Sequence, residues 1–149
     1  MKRWPRILDW VLISITAFIL IFVTLLNDAK AYGPYSAEYI FNYDGDTITL
    51  AIEIWPDLVQ VKRIRLAGVD APEIKGKCEI EKVLAIDAKA YVADTLKSAK
   101  LIVVTVSKLG KYGRPISAVI ADGVDLSTGL IEMGLGREYD GGKRESWCN

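Results

Sequence analysis

Between Ser36 and Ala67 the chain alternates apolar and polar residues through three runs separated by two tight turns, and this narrows its fold most. Ser36–Tyr43 is alternating and aromatic. Thr47–Ile54 keeps a strict period of two, and Val59–Ala67 repeats it with Val61, Arg63 and Arg65 on one face and Ile64 and Leu66 on the other. Such alternation marks half-buried strands, because successive side chains of a strand point to opposite faces. Asp44-Gly45 is a strong short hairpin signal, and Pro56-Asp57 makes the next turn. Three antiparallel strands in succession are therefore expected.

The period then changes. Gly68–Lys82 reads as a long loop, of a length more often functional than idle. Over Val83–Ser98 the residues Leu84, Ala88, Tyr91, Val92 and Thr95 form one helical stripe. Leu101–Ser107 is apolar and β-branched, hence a buried strand, and Arg114–Ala121 is a fifth strand after a polar loop. Leu126–Met133 reads as a short helix, N-capped by Asp125 and closed by Gly134. From Arg137 the sequence is polar and glycine-rich. The order predicts an α+β, mainly β fold: a five-stranded oligonucleotide-binding (OB-fold) barrel with a helix between strands three and four and a short C-terminal helix. A β-sandwich fragment would show similar strand lengths.

In front of this pattern, Lys2, Arg3 and Arg6 precede an apolar run from Trp10 to Leu26, interrupted only by Ser14, Thr16 and Thr24. As an N-terminal hydrophobic helix it would span roughly 25 Å, near the thickness of a thin bilayer core. Residues 1–31 are thus expected to be a signal anchor or a signal peptide. The length favours an uncleaved anchor, while Ala29-Lys30-Ala31 has the small-x-small form of a cleavage site. Either reading exports the rest of the chain, membrane-anchored outside the cytoplasm or periplasmic or secreted after cleavage. Gly33 and Pro34 suggest a linker over 32–35, followed by a domain over 36–137 and a polar tail over 138–149.

Acidic and basic residues balance at 19 each. Four of the basic and two of the acidic ones precede Tyr32, so the exported part is slightly acidic. Bulk charge will not hold nucleic acid, and any such affinity must come from a local Arg and Lys cluster or a bound cation. There is no histidine. That excludes Ser-His-Asp hydrolases, histidine-dependent ribonucleases and histidine-ligated metal centres. The two cysteines, Cys78 and Cys148, lack the C-x-x-C spacing of a zinc or redox motif. In an oxidising compartment they can pair; otherwise they are two free thiols.

Three short segments carry chemistry: Asp44-Gly45-Asp46-Thr47, Arg65 through Glu73, and Lys111-Tyr112-Gly113-Arg114. Asp46 and Asp70 can converge on one hard cation if their strands pair as read, and Ca²⁺ suits carboxylate ligands of flexible geometry. Taken singly, they are equally a turn aspartate and a loop cap. Asn42, Asp44, Asp46 and Glu53 also mimic the acidic positions of an EF-hand loop. Thr47 stands where that loop needs glycine, and Ile48–Ile54 is a strand, so the EF-hand is rejected. Glu73 follows Pro72, which stiffens its approach, and can act as a general base; its plainer role is a surface glutamate. Arg65 and Arg114 sit on or at the start of strands, where a planar fork can hold two phosphate oxygens and stabilise a pentacoordinate transition state. Their plainer role is an exposed salt bridge. Lys111 and Tyr112 can contact a terminal phosphate of a bound nucleotide.

Together the three motifs, their order and their internal spacing resemble the thermonuclease (staphylococcal nuclease-like) family, from about Ile40 to Gly136. The resemblance implies an OB-fold barrel and Ca²⁺-dependent endonucleolytic hydrolysis of DNA and RNA, leaving 3′-phosphates. It assigns Asp46, Asp70 and the Ala71 backbone carbonyl to the metal, Glu73 to the attacking water, and Arg65 and Arg114 to the phosphate. Tyr139 is the counterpart of a nucleotide-stacking tyrosine, one residue out of register. The family's long C-terminal helix has no counterpart after Arg137, and a Cys78–Cys148 bridge would take over its stabilising role. The expected partner is nucleic acid, with the membrane if the N-terminus stays attached, and the protein is expected to be a monomer. A non-catalytic OB-fold nucleic-acid-binding module is the competing reading, because this barrel often binds without cutting. A membrane-tethered structural domain is the third.

Overall fold

The alternating runs close into a barrel in the computed structural model, which describes residues 31–148. In chain order the elements are β1 (Tyr32–Asn42), β2 (Thr47–Trp55), β3 (Leu58–Leu66), β4 (Val69–Asp70), α1 (Glu79–Ser98), β5 (Ile102–Leu109), β6 (Pro115–Ala121), β7 (Val124–Asp125), α2 (Leu126–Glu132) and β8 (Arg137–Glu138). A single 3₁₀ turn, Lys111–Gly113, joins β5 to β6. β1, β2 and β3 form an antiparallel meander, β5 pairs with the other edge of β1, and β6 pairs with β5. A short parallel pairing, Arg65 with Ile116 and Leu66 with Ser117, closes the ring between β3 and β6. That closure sets the strand carrying Arg65 beside the strand that starts after Arg114. Among the described residues the fold is mainly β, a closed five-stranded barrel with two helices, as expected.

The inward faces are those the alternation marks. Ile48, Leu50 and Ile52 of β2, Ile64 and Leu66 of β3, Val104 of β5 and Val119 of β6 fill the barrel. Fully burying one such aliphatic side chain stabilises the fold by about 1.5–3 kcal/mol. The barrel's end is plugged by Ala88, Val92 and Leu96 of α1 and by Leu126 and Leu130 of α2. The buried stripe of α1 runs along Ala85, Ala88, Val92 and Leu96, with Leu84, Tyr91 and Thr95 on its flank. The helix also begins at Glu79, four residues earlier than its periodicity suggests. Ile80, Val83 and Ile86 lie exposed on its outer side and blur the apolar stripe, while Glu79 and Glu81 favour a helix N-terminus.

Residues 32–35 are strand, which corrects the expected linker. Tyr32 pairs with Val106 and Tyr35 with Val104, and the register shift between them accommodates Pro34. Proline is tolerated at such an irregularity because no ladder hydrogen bond is asked of it. The expected boundary between domain and tail at 137/138 falls inside β8, which pairs Asp70 with Arg137 and Val69 with Glu138. The signal or anchor reading rests on residues that, apart from Ala31, lie outside those described. Among the described residues no helix is long and apolar enough to cross a membrane.

Candidate active site

Asp46 ends the turn between β1 and β2, and the turn is fastened on three sides. The Asp44 carboxylate accepts from the amides of Asp46 at 3.2 Å and Thr47 at 2.8 Å. Asn42 donates from Nδ2 to the carbonyls of Asp44 (2.9 Å) and Lys89 (3.0 Å), which ties the turn to α1. The Leu66 amide donates to the Asp46 carbonyl at 2.9 Å, which ties it to β3. Gly45 is required by close approach: a Cβ there would stand 2.8 Å from the Ala88 methyl and 2.9 Å from the Ala71 methyl. The result is an aspartate only 2% exposed, on rigid backbone.

Arg65 lies opposite Thr47 in the β2–β3 register, which brings its guanidinium to that aspartate. Nη1 donates to Asp46 Oδ1 at 3.0 Å, and Nη2 lies 2.9 Å from Oδ2. The same Nη2 reaches Asp70 Oδ1 at 3.3 Å. Asp70 is held there because β4, though only two residues long, pairs with β8. Ala71 adds its amide, which donates to Asp46 Oδ2 at 3.4 Å. Beside this group a cleft of ≈ 290 Å³ has Arg63, Arg65, Glu73 and Arg114 on its wall. The structure therefore gathers Asp46, Arg65, Asp70, Glu73 and Arg114 in one place. Arg114 differs from Arg65 in having no carboxylate within ion-pair distance among the described residues.

Four carboxylates, Asp44, Asp46, Asp70 and Glu73, crowd together at the site. Burial, then the charge of Asp44, pushes the Asp46 carboxyl up to about 6, against the pull of Arg65. Asp44 is raised too, by burial and then by Glu73. Carboxylates held this reluctantly as anions favour a cation among them.

One such cation was missed from the sequence. Arg144, in the segment read as a polar tail, places Nε 2.7 Å from Asp70 Oδ1 and Nη2 3.8 Å from Asp46 Oδ2, and its Nη1 donates to Glu73 Oε1. Burial lowers its proton affinity, but the hydrogen bond to Glu73 and the charges of Asp70 and Asp46 more than restore it. The tail is not free in solution: Cys148 is bonded to Cys78, just before α1. Arg63 also escaped notice as a site residue, although its place on the Arg65 face of β3 was legible.

Lys111 and Tyr112 do not join the cleft. Tyr112 is fully exposed on the 3₁₀ turn, with a left-handed φ of 61°. Tyr139 is closer, its ring 5.9 Å from the Arg65 guanidinium carbon, its amide donating to the Gly68 carbonyl and its hydroxyl to that of Gly142. It lines a larger cleft of ≈ 880 Å³ that shares Arg65 as a wall. Glu73 and Arg114 line the smaller cleft and not this one.

A sequence model of staphylococcal nuclease homologues matches residues 63–146, from β3 into the tail. The chain belongs to that family. Comparison with curated proteins gives no match. As a staphylococcal nuclease homologue it has the barrel its motifs imply, and that family is metal-dependent in general. The matched span includes Arg65, Asp70, Glu73, Arg114, Tyr139 and Arg144, while Asp46 precedes it. The residues present fit a hard divalent cation. Asp46, Asp70 and Glu73 offer carboxylate oxygens, the hard donors such an ion takes, and the Arg144 guanidinium reaches all three, each through a different nitrogen. Among the described residues, the set of three potential ligand atoms found within 4.8 Å of one another is that of Cys78, Glu81 and Cys148, which cannot hold a metal by its sulfurs because they are bonded to each other.

Proposed function

We propose that this staphylococcal nuclease homologue is a Ca²⁺-dependent endonuclease that hydrolyses phosphodiester bonds of DNA and RNA and leaves 3′-phosphates. It works outside the cytoplasm as a monomer, tethered by its apolar N-terminus or released from it, a reading supported by the basic flank and apolar run of residues 2–26. One observation carries the catalytic reading. A carboxylate pair bridged by Arg65 adjoins a cleft with an uncommitted guanidinium, Arg114, and a half-exposed carboxylate, Glu73, on its wall.

Asp46, Asp70 and the Ala71 carbonyl would hold the ion, whose contribution is to neutralise phosphate charge and polarise the phosphorus–oxygen bonds. Arg114 grips two non-bridging oxygens with its planar fork and stabilises the charge that grows on them. Arg65, fixed between Asp46 and Asp70, adds positive charge on a strand that cannot swing away. Glu73 orients the attacking water and accepts its proton, so that attack proceeds in line with the departing 5′-oxygen. The P–O5′ bond breaks, the departing 5′-oxygen takes a proton from solvent, and the phosphate stays on the 3′ side.

Release of acid-soluble nucleotide by the purified protein, with Ca²⁺ and with a chelator, tests this. Activity that survives both chelation and Glu73→Gln would defeat it. The binding-module reading draws support from the ion pairs that already satisfy Asp46, Asp70 and Glu73 within the chain. Nucleic-acid binding without turnover under any cation would select it.

A further inference from the structure

Arg144 is the one described cation that touches Asp46, Asp70 and Glu73 together, and the mechanism above does not use it. It arrives on a segment fastened at both ends. At the near end β8 is paired to β4, and Gly141 and Gly142, at φ 119° and 95°, turn the chain back in a conformation that favours glycine. At the far end, four residues beyond Arg144, Cys148 is bonded to Cys78. Between them Arg137 donates to the Ser146 carbonyl at 2.9 Å and stacks 3.9 Å over the Trp147 ring. The guanidinium is thus presented to the carboxylates by a braced strap.

We propose that Arg144 is a tethered internal counter-ion that competes with the divalent cation for Asp46, Asp70 and Glu73, and that the disulfide-fastened tail thereby sets the site's cation affinity. This rests on the cation reading of the proposed function. A divalent ion shared by those carboxylates and a guanidinium at the same point repel each other, so holding the ion requires the arginine to lift away. Oxygen-ligand sites of extracellular modules hold Ca²⁺ at only roughly 10⁻⁴–10⁻³ M, weakly enough for one tethered charge to move the affinity. Lifting Arg144 also frees Glu73, so one event would admit the cation and uncover the base.

Calorimetric titration of the full chain with Ca²⁺, without nucleic acid, tests this. Arg144→Gln should bind Ca²⁺ at least about tenfold more tightly than wild type, the low end for a close charge pair. Arg144→Lys, which keeps the charge, should stay nearer wild type. Cys148→Ser, which leaves the strap held at one end, should shift affinity the same way as Arg144→Gln but less. Equal or weaker binding by Arg144→Gln, with wild type binding Ca²⁺, would overturn the competition and leave the cation site standing. Absence of Ca²⁺ binding in wild type and every variant would remove the cation reading and this inference with it.

Discussion

Arg65 grips Asp46 with both prongs of its fork, Nη1 on Oδ1 at 3.0 Å and Nη2 on Oδ2 at 2.9 Å, in a pair almost closed to solvent. Removing one partner of such a pair leaves a buried charge without compensation. Arg65→Ala is expected to cost about 3 kcal/mol of stability. Arg65→Lys keeps the charge but cannot span both oxygens and also reach Asp70, so it should retain more stability than Arg65→Ala. Its activity should nevertheless fall by roughly 10²-fold or more. Urea denaturation beside steady-state nuclease rates checks both halves.

The same burial makes stability depend on pH through Asp46. An ordinary aspartate releases its proton near 3.8, whereas in the fold Asp46 does so near about 6. Between these values the folded chain binds more protons than the unfolded one. This group's favourable contribution is therefore complete below about 3.8 and lost as pH rises through about 6. In chelator, wild type should lose stability relative to Asp46→Asn across that window. Calcium binding should show the opposite trend, weakening as pH falls below about 6, because the ligand must be charged. A stability difference that stays flat with pH would refute the assignment.

Much of this site was legible because Arg65 lies on a regular strand and Asp46 and Arg114 each immediately precede one. Thr47 and Arg65 face each other once the Asp44-Gly45 and Pro56-Asp57 turns set the meander, and barrel closure then brings Arg114's strand to Arg65. Glu73 needed only a rigid loop. Arg144 was not legible, since nothing in Gly141-Gly142-Lys143-Arg144-Glu145 marks one residue as structural. Its position is decided by Cys78 and by β4, about seventy residues away, and two-residue strands such as β4 and β8 are too short to carry a period. The start of β1 was hidden for a different reason. Gly33 and Pro34 read locally as breakers, and pairing with β5 overrides them.

The Cys78–Cys148 bridge spans a sequence separation of 70, and opening it releases that closed loop in the unfolded chain. The loop-closure entropy at this length amounts to about 4 kcal/mol at most. A dithiol reductant should lower the urea midpoint of wild type and leave that of Cys78→Ser/Cys148→Ser unchanged. Measured in chelator, this isolates the bridge from any change in cation affinity. An unmoved wild-type midpoint would show that the bridge contributes nothing to the barrel's stability.

Arg114 is expected to separate catalysis from folding. Its backbone is fixed where the 3₁₀ turn enters β6, with the Gly110 amide donating to its carbonyl at 2.7 Å, yet its side chain has no carboxylate partner among the described residues. Replacing it should therefore leave stability within about 0.5 kcal/mol of wild type, as for a surface position. A guanidinium held out for phosphate stabilises charge that appears only in the transition state, so Arg114→Ala should lower kcat by roughly 10²–10³-fold. Arg114→Lys should recover little of that, because an ammonium cannot hold two oxygens at once. A large stability loss in Arg114→Ala with kcat intact would reverse the roles assigned to the two arginines, making Arg114 the structural member and leaving Arg65 to meet the substrate.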